Sequence, residues 1–166
     1  MRRLFLGLLA LGLAACVQPP PPGADPVGLV EAIYAPYRKA EAGASPTAAL
    51  PYTRDLAARI EAERAAVAGG AKAAIDFDPV VAGDAYSLRG LDVALAAAPA
   101  GDTAVVVASF RTFNLPRSVR YDLRREDGLW RVDNISGAEG EGWNLRVLLD
   151  QAAATRAGRT VPEAQR

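Results

Sequence analysis

The side chains that most often perform catalysis are scarce in this sequence. The chain of 166 residues contains no histidine and a single cysteine, Cys16. Without histidine there is no imidazole to act as a general base or to bind a metal ion. A glycine-rich phosphate loop is also missing, because Gly137, Gly140 and Gly142 alternate with acidic residues. Carboxylate and tyrosine side chains are what remains for chemistry.

Three aspartates, Asp76, Asp78 and Asp84, form the densest group of carboxylates. In principle they could bind a divalent cation or act as an acid–base pair. An EF-hand loop would need acids at alternate positions and a later glutamate, which are missing here. Aspartate before proline is also a turn former, so we favour a structural role in which Asp78 begins a turn at Pro79. We therefore expect no metal ion or other cofactor.

Aromatic and arginine side chains near the ends of apolar segments are candidates for a ligand pocket. Trp143 follows a glycine-rich segment, and Arg111 interrupts an otherwise apolar strand. Aromatic residues at strand ends lie more often in the core than in a ligand pocket, and we expect the core role more strongly for Trp130 than for Trp143. Arg111 is either an anion-binding residue or an exposed ion-pair partner, and both alternatives stay open. The candidate pocket residues are Asp78, Asp84, Arg111, Phe113 and Trp143.

The only cysteine follows a segment that is typical of a secretory signal. Two arginines precede an apolar block over 4–15, and small residues then lead to Cys16. As a helix this block would span about 18 Å, short of the about 30 Å hydrocarbon core of a membrane. Pro19–Pro22 prevent a helix from continuing. We therefore predict that residues 1–15 are a signal peptide.

The end of this segment, Leu13-Ala14-Ala15-Cys16, resembles the bacterial lipobox, Leu-(Ala/Ser)-(Gly/Ala)-Cys. The resemblance implies that the Cys16 thiol receives a diacylglycerol, that the chain is cut before Cys16 and that the new amine is acylated. Stable anchoring needs at least two membrane signals, and a triacylated cysteine supplies them. Val17 stands in place of an aspartate, which by resemblance to the enterobacterial sorting pattern favours the periplasmic face of the outer membrane.

The mature chain has room for one domain. Removal of residues 1–15 leaves 151 residues and takes two of the 19 basic residues and none of the 19 acidic ones, so the mature chain is formally two charges negative. A near-neutral chain without a basic cluster argues against nucleic acid as a partner. We predict a proline-rich tether over 16–24, a single α+β domain over 25–157 and a flexible tail over 158–166.

Two helices are predicted in the first half of the domain. Asp25 caps the first helix, which Pro36 should kink or shorten. The second helix runs from about Thr53 to Ala68 and stops at Gly69-Gly70. The residues expected to face inward are Val30, Ile33, Tyr34, Tyr37, Leu56, Ile60 and Val67.

After residue 85 the sequence has the period of strands. Turns are predicted at 99–102, at 114–116 and at Asp127-Gly128, which is the strongest hairpin signal in the chain. A last helix is capped at Asn144 and is expected to bury Leu145, Leu148 and Leu149. Two helices, a four-stranded antiparallel meander sheet and a C-terminal helix define an α+β fold, with helices against one sheet face.

A two-residue loop at Asp127-Gly128 fixes the register of the last two strands. It pairs Leu123 with Val132 and Tyr121 with Asn134. The core side then carries Val119, Tyr121, Leu123, Trp130 and Val132. The opposite, solvated face carries Arg120, Asp122, Arg124, Arg131 and Asp133. Arg120 is therefore expected to form an exposed ion pair.

Three segments together resemble domain of unknown function 3828. They are Ile75-Asp76-Phe77-Asp78-Pro79 with Ala82-Gly83-Asp84, then Tyr121–Ile135, then Gly142–Leu149. The likeness covers about residues 27–150, and members of this family are largely bacterial envelope lipoproteins. Gly83 stands where the family has glutamine, and Val80 where it has an aromatic residue. If that segment lines a site in the family, the site is altered here.

The C-terminal half of the chain also resembles the periplasmic phospholipid-shuttle family linked to toluene tolerance. Both families are similar to the nuclear-transport-factor-2-like cone, in which a bent sheet wraps a helix and leaves a cavity at one end. This resemblance implies a fold and no particular activity, because the cone hosts enzymes, carriers and scaffolds.

These observations favour a domain that is not an enzyme. We predict a membrane-anchored, non-enzymatic binding or interaction module with an envelope protein as partner. The alternative is a carrier or sensor of a lipid or another small hydrophobic ligand held in the cone cavity. The tether favours the interaction module, because the phospholipid-shuttle family is not anchored. An Asp84–Tyr86 pair, of the kind that cone-fold isomerases use, is the remaining enzymatic alternative.

Overall fold

The computed structural model describes residues 23–39, 49–138 and 142–159, which form three helices and one four-stranded antiparallel sheet. The strands lie in the sheet in chain order. The α+β class and the order of the elements are as the sequence predicts. The elements are α1 (Pro26–Lys39), α2 (Arg54–Ala68), β1 (Arg89–Leu95), β2 (Thr103–Thr112), β3 (Leu115–Glu126), β4 (Leu129–Gly137) and α3 (Leu145–Arg156).

Each helix begins directly after a capping residue; Asp25 and Asn144 are the caps that the sequence predicts, and Thr53, predicted as the approximate start of the second helix, is its cap. The side chains of Asp25, Thr53 and Asn144 accept hydrogen bonds from N–H groups of the first turn at 2.5, 3.3 and 3.2 Å, respectively. These N–H groups have no partner inside the helix, so the caps stabilise each helix start. Helix α1 continues through Pro36 to its last residue, so the proline does not end the helix.

The inward faces of the helices are largely as predicted. The four α1 residues and Leu56 of α2 are buried, and α3 buries two of its three leucines but leaves Leu148 half-buried. The prediction for Val67 is wrong, since its side chain is 39% exposed. The second half of α2 is held instead by the Glu63 carboxylate, which accepts a hydrogen bond from Arg156 of α3 at 2.6 Å.

Two β-bulges bend the sheet. One extra residue lies in β1, where Gly90 has a φ of +59°, and another lies at Asp133 in β4. A bulge bends its strand and increases the local twist, which allows the sheet to curve. The second bulge also places Tyr121 opposite Ile135, so the predicted pairing of Tyr121 with Asn134 is wrong.

The β3–β4 hairpin follows the prediction up to that bulge. Asp127 and Gly128 both have positive φ, +50° and +78°, as a type I′ turn requires. Leu123 then pairs with Val132 as expected. The predicted core side is confirmed, because all of its residues are buried: Val119, Tyr121, Leu123, Trp130 and Val132.

The β2–β3 turn lies one residue earlier than predicted. Phe113 and Asn114 form it, with φ of +48° and +65°. Pro116, which was predicted to lie in the turn, lies inside β3 instead. It is tolerated there because β4 pairs with β3 only from Val119 onward, so no hydrogen bond to β4 is lost.

The outer edge of β4 is covered by preceding parts of the chain. The Trp130 N–H donates to the Gly23 carbonyl at 2.8 Å, and the Val132 N–H donates to the Pro51 carbonyl at 2.9 Å. Gly23 has a φ of +89°, and a Cβ there would lie 3.0 Å from the Trp130 oxygen, so this contact requires glycine. This part of the β4 edge is therefore closed to pairing with another strand.

Helices α2 and α3 are joined to β4 by an ionic network around Arg146. Its guanidinium donates to the Asp133 carboxylate at 2.7 Å, to the Asp133 carbonyl at 2.5 Å and to the Asp55 carboxylate at 2.5 Å. Asp133, predicted on the solvated face, also accepts a hydrogen bond from Thr53 at 3.0 Å and is largely covered. Hydrogen bonds from Arg59 and Arg146 lower the pKa of Asp55.

Replacement of Arg146 by alanine should lower the free energy of unfolding by about 2 kcal/mol at pH 7, because the Asp133 carboxylate, 23% exposed, loses a charged donor. Because the pKa of Asp55 is lowered in the folded protein, this carboxylate stabilises the fold at pH values above its ordinary pKa, about 3.9. That stabilisation is lost as the pH falls through the lowered pKa. The difference between variant and wild type should therefore shrink below about pH 4.

Urea unfolding followed by circular dichroism at pH 7 and pH 3 measures both effects. Arg64→Ala is the control, since its side chain is 68% exposed and pairs only with Glu61 at 3.7 Å among the ion pairs of the described residues. It should change stability by no more than about 0.5 kcal/mol. An Arg146→Ala loss that stays equal at both pH values would contradict an ionic role.

Candidate functional site

The space between α1 and the sheet is filled by aromatic side chains. Tyr34, Tyr37, Tyr86, Phe110 and Tyr121 are all buried. The ring centroids of neighbouring pairs lie 5.1 to 6.2 Å apart in tilted or edge-on orientations. The side of the sheet where the cone resemblance implies a cavity is therefore occupied, in the described part of the chain, by these rings.

The tyrosine hydroxyls tie α1 to the segment before β1. The Tyr121 hydroxyl donates to the Tyr34 hydroxyl at 3.2 Å, Tyr34 donates to the Val80 carbonyl at 2.7 Å, and Tyr37 donates to the Asp78 carboxylate at 2.5 Å. Burial raises the pKa of Tyr34, Tyr37 and Tyr121, and the hydrogen bond to Asp78 raises that of Tyr37 further. These hydroxyls are therefore neutral donors at physiological pH.

Asp78 makes the contacts of a turn residue. Its second carboxylate oxygen accepts from the Val80 N–H at 2.8 Å, and its backbone pairs with Gly83 at 3.1 and 3.3 Å. Asp76 and Asp84, in contrast, are exposed. Within residues 23–39, 49–138 and 142–159, no three acidic or thiol side chains are grouped as a metal ion would need. The contacts of Asp78 are those of the structural role, and ligand binding by Asp78 or Asp84 stays a prediction.

Tyr86 differs from the other buried tyrosines. Its hydroxyl is buried and has no hydrogen-bond partner among the described residues. It therefore makes no hydrogen bond to Asp84, and the Asp84–Tyr86 pair is not formed in this structure. A buried hydroxyl without a partner costs about 1–3 kcal/mol of desolvation, so the Tyr86 hydroxyl offsets part of the stability that burial of its ring contributes.

Phenylalanine at position 86 should therefore be tolerated better than phenylalanine at position 34. Tyr86→Phe removes an unpaired hydroxyl and should leave the free energy of unfolding unchanged or raise it by about 1 kcal/mol. Tyr34→Phe breaks two hydrogen bonds and leaves the Val80 carbonyl without its donor, so it should lower stability by about 1–3 kcal/mol.

Chemical unfolding of the two variants, followed by tryptophan fluorescence, measures this contrast. The two changes remove the same atom from buried rings, so each variant is the control for the other. Equal losses in both variants would show that the Tyr86 hydroxyl has a partner.

Two candidate pocket residues lie at the β2–β3 turn and on the surface. Arg111 is exposed, and its guanidinium donates to the Asn114 carbonyl across the turn. Phe113 is 59% exposed. Neither residue lies in the interior between α1 and the sheet. Arg120, on the polar face of β3, forms the expected exposed ion pair, with Asp122 at 2.8 Å.

Trp143 lines a cavity of about 280 Å³ with Phe77, Ala82 and Arg117. The rings of Phe77 and Trp143 meet edge-on with centroids 5.1 Å apart. Arg117 was not among the predicted pocket residues. The signal was its position, because it lies two residues before Val119 along β3 and so points to the same, core side of that strand. The cavity combines two aromatic rings with one arginine.

Comparison of the chain with protein-family models, with curated proteins and with solved structures finds no match. The resemblances to domain of unknown function 3828 and to the phospholipid-shuttle family therefore stay predictions. None of the helices in the described ranges has both the length and the hydropathy of a membrane-spanning segment. Cys16, like all of residues 1–22, lies outside the described residues, and so do residues 160–166 of the predicted tail.

Proposed function

We propose that the chain is an envelope lipoprotein whose domain is a non-enzymatic binding or interaction module. A triacylated Cys16 anchors it to the periplasmic face of the outer membrane, and residues 17–22 hold the domain away from the lipid. The support for the anchor is the lipobox-like run Leu13-Ala14-Ala15-Cys16 after a basic start and a short apolar block. The bent sheet packed on α1 corresponds, in this proposal, to a nuclear-transport-factor-2-like cone.

The filled interior is the observation that carries the interaction role. A carrier needs an open apolar cavity, whereas an interaction module functions through its outer surface. Here the inner side of the sheet is packed with Tyr34, Phe110 and Tyr121, which are fully or almost fully buried. The hydroxyl bonds from Tyr34 to Val80 and from Tyr37 to Asp78 fix this packing further. A ligand could enter there only by displacing these side chains.

The second candidate function is the carrier or sensor of a small hydrophobic ligand. It is favoured by the cavity at Trp143, where Phe77 and Arg117 offer an apolar surface and a cation. Its volume of about 280 Å³ lies just below the about 300–1,000 Å³ that ligand pockets usually have. A whole phospholipid is too large for it, so the ligand of this alternative would be a small molecule or one part of a lipid.

Native mass spectrometry of the domain produced from Gly23 onward separates the two functions. The interaction module predicts a mass without bound ligand, together with a partner protein that the full-length lipoprotein retains in envelope pull-downs. The carrier predicts a co-purified lipid or small molecule that disappears in Trp143→Ala. A retained ligand in the wild type and its loss in that variant would contradict the interaction module.

A further inference from the structure

The backbone conformation of the β2–β3 turn is unfavourable for one of its residues, Phe113. Phe113 has a φ of +48° and Asn114 a φ of +65°. Turns of this type strongly prefer glycine, asparagine or aspartate, because a bulky residue at positive φ is strained. The Phe113 ring is 59% exposed, so it gains little packing within the domain that would offset the strain. Strain of this kind persists where a side chain is needed for function.

Four exposed residues around this turn form what we call the tip surface: Arg89, Arg111, Phe113 and Leu115. The two apolar side chains are 59% and 56% exposed. Arg89 and Arg111 lie opposite each other on β1 and β2, beside the turn. Aromatic and arginine side chains are the residues most enriched at the centres of protein interfaces. A partner surface that is complementary to the tip surface has an apolar socket bordered by carboxylates.

The tip surface lies at the opposite end of the sheet from the tether. Gly23 contacts Trp130, which pairs with Arg125 at the far end of β3. At about 3.3 Å per residue, the strand from there back to Phe113 is roughly 40 Å long. The seven steps of chain from Cys16 to Gly23 can span at most about 25 Å, whatever their conformation.

The length of the tether bears on which partner the tip surface can reach. If the tip faced the anchoring membrane with the sheet upright, Gly23 would lie roughly 40 Å from the lipid, beyond the about 25 Å that the tether can span, so an upright domain cannot rest its tip on that membrane. In the reverse orientation the tip points away from the membrane, up to about 65 Å from the lipid. In a dimer formed tip to tip, Arg89 and Arg111 of one copy would face the same two arginines of the other copy. Repulsion between these like charges disfavours self-association.

We propose that the tip surface is a docking site for a second protein of the envelope, which presents an apolar socket bordered by acidic side chains. Phe113 is the anchor of this contact, and Arg89 and Arg111 pair with the acidic border. The proposal rests on the proposed function and names the surface through which the interaction module acts.

Photo-crosslinking in cells that make the full-length lipoprotein tests this site. A photoreactive phenylalanine analogue is placed at Phe113 and, as controls at other exposed apolar positions, at Val67 on α2 and Val147 on α3, which are 39% and 42% exposed. The Phe113 position should give one discrete protein adduct, mapped by mass spectrometry to an apolar site flanked by acidic residues. The charge reversal Arg111→Glu should reduce its yield at least about tenfold.

A second variant separates docking from folding. Phe113→Gly relieves the strain at φ +48°, so the thermal midpoint should rise by about 3 °C. In the same variant, crosslinking from an analogue at Leu115 should fall at least about tenfold, because the anchor side chain is gone. Unchanged crosslinking from Leu115 would overturn the role of Phe113.

The remaining outcomes are equally decisive. A lipid adduct or a second copy of this chain at Phe113 would overturn the proposal. An adduct at Val67 or Val147 and none at Phe113 would overturn the docking site but leave the interaction module standing. No adduct from any of the three positions would contradict both.

Discussion

Replacement of Cys16 by serine should move the protein almost completely from the membrane fraction to the soluble fraction of the envelope. Serine offers no thiol for the diacylglycerol, so the chain loses every acyl group that the lipobox resemblance implies. Each buried methylene of an acyl chain contributes about 0.8 kcal/mol to membrane binding, and none would remain. Fractionation of cells followed by immunoblotting measures the change.

Val17→Asp is the matched control for this experiment. It keeps Cys16, so the protein should stay in the membrane fraction, and by the enterobacterial sorting pattern it should shift from the outer to the inner membrane. A Cys16→Ser protein that stays membrane-bound would contradict the lipid anchor.

Replacement of Trp130 by alanine should lower the free energy of unfolding by about 4 kcal/mol. The indole is buried in the core and lies under the Arg125 guanidinium, 4.6 Å from the ring centroid. Its removal leaves a cavity beside β4, at the place where Gly23 joins the sheet. Domains of this size have about 5–15 kcal/mol of stability, so the variant should be at the margin of folding.

Urea unfolding followed by circular dichroism measures this loss. Trp143→Ala is the control, because Trp143 is half-buried at the edge of its cavity and should cost about 1–2 kcal/mol. A loss below about 1 kcal/mol at Trp130 would show that the core does not depend on this ring.

The local features of the fold could be predicted because their causes are local. The caps Asp25, Thr53 and Asn144 each satisfy N–H groups two or three residues away. Asp127-Gly128 supplies two residues that accept positive φ. Alternation along β3 was sufficient to assign its core side, since side chains of a strand point to opposite faces in turn.

The predicted pairing of Tyr121 with Asn134 was wrong because the bulge that shifts it depends on distant contacts. The bulge at Asp133 is stabilised by Arg146 and Thr53, which come from α3 and from the start of α2. No sequence pattern within β4 predicts this bulge. The β2–β3 turn was predicted at Asn114-Leu115-Pro116, whereas the structure places Phe113 in the turn, in a conformation that phenylalanine rarely adopts.

Prediction of the candidate site from the sequence is limited in the same way. Asp78 could be predicted as a turn residue from Pro79, but its hydrogen bond to Tyr37 joins residues 41 positions apart and leaves no local signal. Trp143 was predicted as a pocket residue, yet its neighbours Phe77 and Arg117 come from two other parts of the chain. Residue types indicated the chemistry, and only the fold decides which side chains meet.

The intact mass of the full-length protein, extracted from membranes with detergent, tests most directly the claim that this is a lipid-anchored module. The account predicts a chain that begins at Cys16, lacks residues 1–15 and carries the added mass of a glyceryl group with three acyl chains. An unmodified chain that begins at Met1 would contradict it.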